Sequence, residues 1–347
     1  MSTPTPDPSR PRALLGVRPV RHGLVTIAIA VAVCAVVAGF SWLSWHDASD
    51  QIGRFTARAT GEITSTQAGA DGDAVEVRWA LPDGRQATAA VPLGSGRPPV
   101  GTKTEIAYDP ARPDQAMIPG AAVLVQAGRG QGGVITSGLV VVLLLGLSGW
   151  RVFSRSRTTR APVRTALVRR VRLQSGLLTR SWLETENGSE RWIPVYYDPV
   201  LVALPSPAEV RLHGDPTSDR LVAVEVLPVE PHSSSDPTSD AVSAAGETVR
   251  PEPVVLYPSG PVSAKLPRGR RGDGPAWPDA EEVRHATRTA GLGRQLRADL
   301  PLLVPAPFVG LFWAFLDDSG FYGWLGATSI AAAFGLWWAA WRGSDPN

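Results

Sequence analysis

Cysteine is nearly missing: Cys34 stands alone among 347 residues. That excludes a disulfide framework and any cysteine-based metal cluster. Lysine is almost as scarce, with Lys103 and Lys265 the only two and arginine supplying the remaining basic side chains. Nor is there an excess of either charge. The 34 Lys and Arg against 32 Asp and Glu leave a formal +2, which offers no polycationic surface to nucleic acid. Charged residues at 19% beside hydrophobic ones at 44% exclude a chain that is disordered throughout. The five histidines, His22, His46, His213, His232 and His285, show no metal-ligand spacing, and none stands beside a convincing Ser or Cys nucleophile. The sequence therefore calls for no cofactor, no metal and no catalytic group.

Long apolar runs are what the chain does have. They span 23–42, 133–153, 300–316 and 321–341. At ~1.5 Å per helical residue, about 20 residues cover the hydrocarbon layer of a bilayer. The third run is short and carries Pro301, Pro305 and Pro307, which lack backbone donors and delay or kink a helix. With Asp317-Asp318-Ser319-Gly320 as its turn, it reads as the first arm of a helical hairpin. The first run exceeds the ~7–15 apolar residues of a cleaved signal and is followed by Phe40, Trp42 and Trp45, so it is expected to remain as an anchor. Aromatic residues gather at run ends, as membrane interfaces favour.

Charge sets the expected orientation. Arg10, Arg12, Arg18 and Arg21 precede the first run, and residues 151–172 hold eight Arg and no acid, whereas 43–132 hold eight basic and ten acidic residues. The positive-inside rule then places both termini in the cytoplasm of a bacterial plasma-membrane protein and the 43–132 loop outside. In the basic segment, Arg151, Arg155, Arg157 and Arg160 are expected to fix topology and meet anionic lipid headgroups. Interleaved aromatics for a nucleic-acid site are missing. Ala327, Ala331, Gly335 and Ala339 recur every four residues, the spacing of a close-packed helix face, although an alanine-rich composition would produce the same stripe.

Between the runs the pattern changes to period two. Val75, Val77, Trp79 and Leu81 alternate with Glu76, Arg78 and Ala80, as in a half-buried strand. Pro82-Asp83-Gly84 makes a turn into the partner strand 85–91. A second segment repeats these signals: Trp182 before Asn187-Gly188, Ile193-Pro194, then Glu209 and Asp215-Pro216, offset by about 104 from Trp79, Gly84, Val91-Pro92, Glu105 and Asp109-Pro110. A near-constant offset favours internal duplication, although any two antiparallel β-domains share such turns.

The run Val100-Gly101-Thr102-Lys103-Thr104-Glu105-Ile106-Ala107-Tyr108-Asp109-Pro110, followed by Pro113 and Ala116, resembles the terminal strand of a family of uncharacterised bacterial membrane proteins typical of GC-rich, actinobacterial-like genomes. The resemblance covers about 55–120 and, more loosely, 164–227, where His213-Gly214 replaces the tyrosine. It implies a small β-domain held between transmembrane helices and brings no catalytic residue.

The expected organisation is an α+β membrane protein with four transmembrane helices and two small antiparallel barrel or sandwich modules. Residues 1–22 form a disordered cytoplasmic start, 55–120 the outer module, 162–227 the cytoplasmic module, 228–253 a disordered linker and 278–299 a juxtamembrane helix. Remaining chemical signals have plainer readings. Gly96 to Thr104 imitates a phosphate loop, but Pro98 and Pro99 remove needed donors. Asp71-Gly72-Asp73 with Glu76, Asn187-Gly188-Ser189 and Arg271-Gly272-Asp273 read as turns or loops, and Cys34 as an apolar side chain. The expected role is a non-enzymatic scaffold or signal relay of the envelope. Its partners would be the lipid bilayer, anionic headgroups and an unidentified membrane or envelope protein, not nucleic acid. The alternative is a transporter or channel accessory subunit that assembles through its helices; an enzyme using loop carboxylates is least favoured.

Overall fold

The structure is a computed structural model describing residues 17–69, 72–94, 96–186, 188–227, 253–288 and 291–346. Residues 1–16 of the expected disordered start, Asp71, Asn187 and all but the last residue of the expected linker 228–253 lie outside the described residues. The chain divides into two compact units, Val31–Leu143 and the remainder, each taken by itself below.

The first unit holds most of helix α1 (Arg18–Arg54), strands β1 (Ala57–Ala68), β2 (Ala74–Ala80), β3 (Gln86–Pro92), β4 (Lys103–Asp109) and β5 (Arg112–Met117), and the first part of α2 (Ala122–Ser156). The antiparallel strands follow the order β3-β2-β1-β4-β5. The period-two reading holds: Val75, Val77 and Trp79 face the core, joined by Ala87, Ala89 and Val91 from β3. Ile63, Ile106 and Tyr108 complete it. Two register shifts in β1, between Ile63 and Ala68, curl the sheet toward a barrel. Gly61 allows the bend. A Cβ there would lie 2.1 Å from Ile106 Cδ1 and 2.5 Å from the Arg78 carbonyl oxygen.

Small residues also bring α1 and α2 together. A Cβ on Gly130 would sit 2.8 Å from the Ser41 carbonyl oxygen, and one on Gly133 would sit 2.3 Å from Ser41 Oγ. Such close backbone approach replaces the hydrophobic drive that lipid removes. Cys34 is buried, as expected of a small apolar side chain.

The second unit centres on β6 (Val163–Ser175), β7 (Leu178–Thr185), β8 (Trp192–Val195), β9 (Ala208–His213), β10 (Ala223–Val226), β11 (Val254–Leu256) and β12 (Arg270–Asp273). Their order is β11-β10-β9-β6-β7-β8. Beyond the β9 pairing, the same edge of β6 takes β12 at Val171 to Gln174. The sheet therefore continues past 227, the boundary expected from sequence. Arg271-Gly272-Asp273, expected as a loop, belongs to a strand, and Arg271 Nη2 lies 2.9 Å from Glu184 Oε2. The burial of Glu184 raises its carboxyl pKa, Glu190 adds to this, and the Arg271 guanidinium opposes both.

The five strands β8-β7-β6-β9-β10 repeat the order of β3-β2-β1-β4-β5. Gly84 and Gly188 occupy corresponding turns with φ of +83° and +93°. Asp109 Oδ1 accepts from the Ala111 amide and Asp215 Oδ1 from the Thr217 amide, each at 2.9 Å. The two tryptophans do not correspond, however. Trp79 lies in the main core, while Trp182 joins Val171, Leu173 and Trp192 in a separate cluster. Leu183 takes the core position beside Val168 and Ile193. Five residues before the turn glycine, it is the counterpart of Trp79.

Helices α3 (Ala280–Arg288), α4 (Leu292–Asp299), α5 (Ala306–Asp317) and α6 (Gly320–Arg342) complete this unit. The single juxtamembrane helix expected over 278–299 is two helices, and Arg18 to His22, expected as disordered, are helical. Two helices, α1 and α2, are long and apolar enough to cross a bilayer. A third candidate is the bent pair Leu292–Leu303 and Ala306–Asp317, which turns through 44° at its break, where Pro305 stands. α6 is long enough at 23 residues, but glycine, serine, threonine and tryptophan dilute its apolar character. α5 and α6 pack closely at Gly310, where a Cβ would lie 2.0 Å from Thr328 Oγ1.

Candidate functional site at the junction of helices and second sheet

The four arginines singled out from sequence do not act alike. Arg157 and Arg160 are exposed at the end of α2, as headgroup contacts would require. Arg155 is buried. It donates through Nη1 to Tyr196 Oη and through Nη2 to the Ser259 carbonyl at 3.1 Å. Tyr196 Oη donates onward to the Trp341 carbonyl at 3.1 Å. Arg155 is thus removed from the lipid role expected of it, because its guanidinium bonds to the protein. One helical turn earlier, Arg151 lies over the Trp337, Trp338 and Trp341 rings at 5.1, 5.4 and 5.9 Å. The spacing of four that puts Arg151 and Arg155 on one helix face was the signal available in sequence.

Tryptophan and tyrosine provide flat electron-rich faces for these cations. Arg180 on β7 stacks over Trp182 at 4.9 Å, donates to the Arg342 carbonyl at 2.8 Å and reaches Ser259 Oγ at 3.0 Å. Burial, with the nearby Arg342 guanidinium, lowers its pKa to about 10. Burial likewise pushes the Tyr196 phenol up to about 12, against the pull of Arg155. The phenol therefore remains a proton donor at neutral pH.

A second buried cluster continues the junction. Asp345 Oδ2 accepts from Ser181 Oγ at 2.6 Å and faces Arg170 Nη2 and Arg172 Nε at 3.6 and 3.5 Å. The Asp345 amide donates to the Thr179 carbonyl at 2.8 Å, beside the Arg180–Ser344 bridge. Nearer the apolar helices, Trp337 Nε1 donates to Ser148 Oγ at 2.9 Å. Of the small-residue stripe, Ala339 is buried and Gly335 abuts the Leu302 carbonyl, 2.8 Å from where a Cβ would stand. Ala327 and Ala331 are only half-buried.

Beside this junction lies a cleft of about 280 Å³. Arg18, Arg21 and His22 from α1, Arg294 and Gln295 from α4, and Tyr197 line it. His22 Nε2 lies 2.8 Å from the buried Asp299 Oδ2. Asp299 Oδ1 accepts from Ser344 Oγ at 2.5 Å, and Gln295 Nε2 donates to the Ser344 carbonyl at 2.6 Å. Sequence reading passed over His22 and Asp299 because each adjoins an apolar run and they stand far apart in the chain.

The arrangement can hold an anion and can tie helices to a sheet. Among the described residues no group of three or more His, Cys, Asp or Glu is placed to hold a metal ion. No family model, curated protein or solved structure matches the chain.

Proposed function

We propose that the chain is a non-enzymatic multi-pass membrane protein that scaffolds or relays through two β-modules descended from one duplicated unit. Four crossings rest on the four apolar runs of the sequence, and the arginine distribution then favours both termini in the cytoplasm and one module on each side. The shared strand order and the paired Asp turns support duplication.

The observation that carries the relay reading is the buried set Arg155, Tyr196 and Trp341. It ties the ends of two apolar helices directly to the second sheet. A displacement of either helix must then move β8 or break charge-assisted hydrogen bonds, each contributing about 1.5–3 kcal/mol. A module joined by a loose linker would not respond.

Hydrogen exchange on the full chain in lipid nanodiscs tests this. Arg155→Ala should speed exchange across β8, at 257–260 and at the end of α6 together. Exchange that changes only around residue 155 would count against the relay.

A further inference from the structure

The cleft beside the junction has the chemistry of an anion site at a membrane surface. Arg18, Arg21 and Arg294 line about 280 Å³ of space, with His22, Gln295 and Tyr197 also on its walls. That volume is near the lower end of ligand-sized clefts and suits a headgroup rather than a large cofactor. Two helix starts also line it, the first turn of α1 at Arg18 and Pro19 and that of α4 at Gly291 and Leu292. Neither first turn contains an acidic residue, and Gly291 supplies no side-chain cap. Their positive dipole ends therefore add to the guanidinium charge. Asp299 faces His22 and Ser344.

The surroundings indicate where such an anion comes from. One helical turn from the cleft, Leu24 is 45% exposed on α1, and Leu300, after α4, is 49% exposed. Both stand at the start of apolar runs. An anion bound between the arginines would thus have greasy side chains beside it, an arrangement that a free ion does not use and an acylated one does. The His22–Asp299 pair holds α1 and α4 together behind the site.

We propose that this cleft binds the phosphate of an anionic phospholipid headgroup, with Arg18, Arg21 and Arg294 as its principal contacts. This rests on the membrane reading above. An arginine near an anionic surface contributes about 1 kcal/mol, or roughly fivefold in affinity.

The full chain, purified in detergent and reconstituted in nanodiscs of mixed phosphatidylcholine and phosphatidylglycerol, is assayed by native mass spectrometry for retained phosphatidylglycerol. Each single change, Arg18→Gln, Arg21→Gln or Arg294→Gln, should weaken retention about fivefold. Arg18→Lys with Arg21→Lys should keep most of it. Arg157→Gln with Arg160→Gln, outside the cleft, should change it little. Equal losses from the Arg157/Arg160 pair would indicate a diffuse field and overturn the site, as would retention unaffected by any cleft variant. Competition by inorganic phosphate as strong as that by short-chain phosphatidylglycerol would overturn the lipid source. Arg18 and Arg21 are exposed, so their variants are read on folded protein, confirmed by an unchanged melting temperature. A chain that stays in water without detergent would instead refute the membrane reading, a result distinct from loss of lipid preference within the nanodisc.

Discussion

An arginine run is ambiguous until each side chain has a direction. Arg155 and Arg157 are two residues apart, yet one bonds inward to Tyr196 and the other stays exposed. The 100° step of the helix makes that difference, and summed charge conceals it. Aspartate behaves in the same local way. Asp215 is held below its ordinary 3.8 by hydrogen bonds from the Thr217 hydroxyl and amide, with Arg164 assisting. A carboxyl whose folded pKa is depressed stabilises the fold fully above its unfolded pKa. That stability is lost as pH falls through the folded value. Asp215→Asn should therefore flatten the acid limb of the melting-temperature profile below about pH 4, while leaving the neutral plateau nearly parallel to the native one. An unchanged acid limb would show that the turn carries no linked proton.

At the scale of elements, alternation was legible wherever one face of a strand was wet. β2 and β3 could be read residue by residue, because Arg78, Ala80, Gln86 and Thr88 are exposed between buried neighbours. β7 could not. Ser181, Trp182, Leu183, Glu184 and Thr185 are all buried, so the pattern gave no inner face, and its place before the turn pairs Trp182 with Trp79 one residue out of register. The continuation of the second sheet through β11 (Val254–Leu256) was legible as a short apolar strand closed by Pro258-Ser259-Gly260, whereas β12 was hidden: four residues in a Gly/Arg stretch carry too short a period to recognise. The stripe on α6 was visible, but the closer approaches at Gly130, Gly133 and Gly310 were not, since a lone glycine in an apolar run does not announce its neighbour. Gly61→Val should lower the stability of the first module by at least the 1–3 kcal/mol typical of overpacking, seen as an earlier melting transition. Gly133→Leu should separate α1 from α2, measured in a Cys34→Ser background as lost cross-linking by a short bifunctional thiol reagent between cysteines placed at Ser44 and Gln126, which hydrogen-bond at 3.3 Å.

For the whole molecule, the sequence supplied the class of structure more readily than its site. Two apolar helices and two curled antiparallel sheets were both visible as changes of period along the chain. The cleft was not, because Arg18 and Arg294 belong to segments separated by most of the sequence and are brought together only by tertiary packing. The proposed topology has its own test. A membrane-impermeant thiol reagent on intact cells should label a cysteine placed at Asp83 and spare one at Ser189, after Cys34→Ser removes the native thiol. Equal labelling of both would refute opposed compartments.

The reach of the Arg155 contacts has a practical corollary for anyone cutting the gene. Arg155 waits for a carbonyl 186 positions later in the chain, so β6 to β10 emerge from the ribosome long before their closing partner exists. A fragment spanning the first five strands carries its own core and is suited to production in isolation. One that stops after β12 would surrender the helix end against which β7 and Tyr196 are sealed, and would leave their arginines and aromatic rings in water.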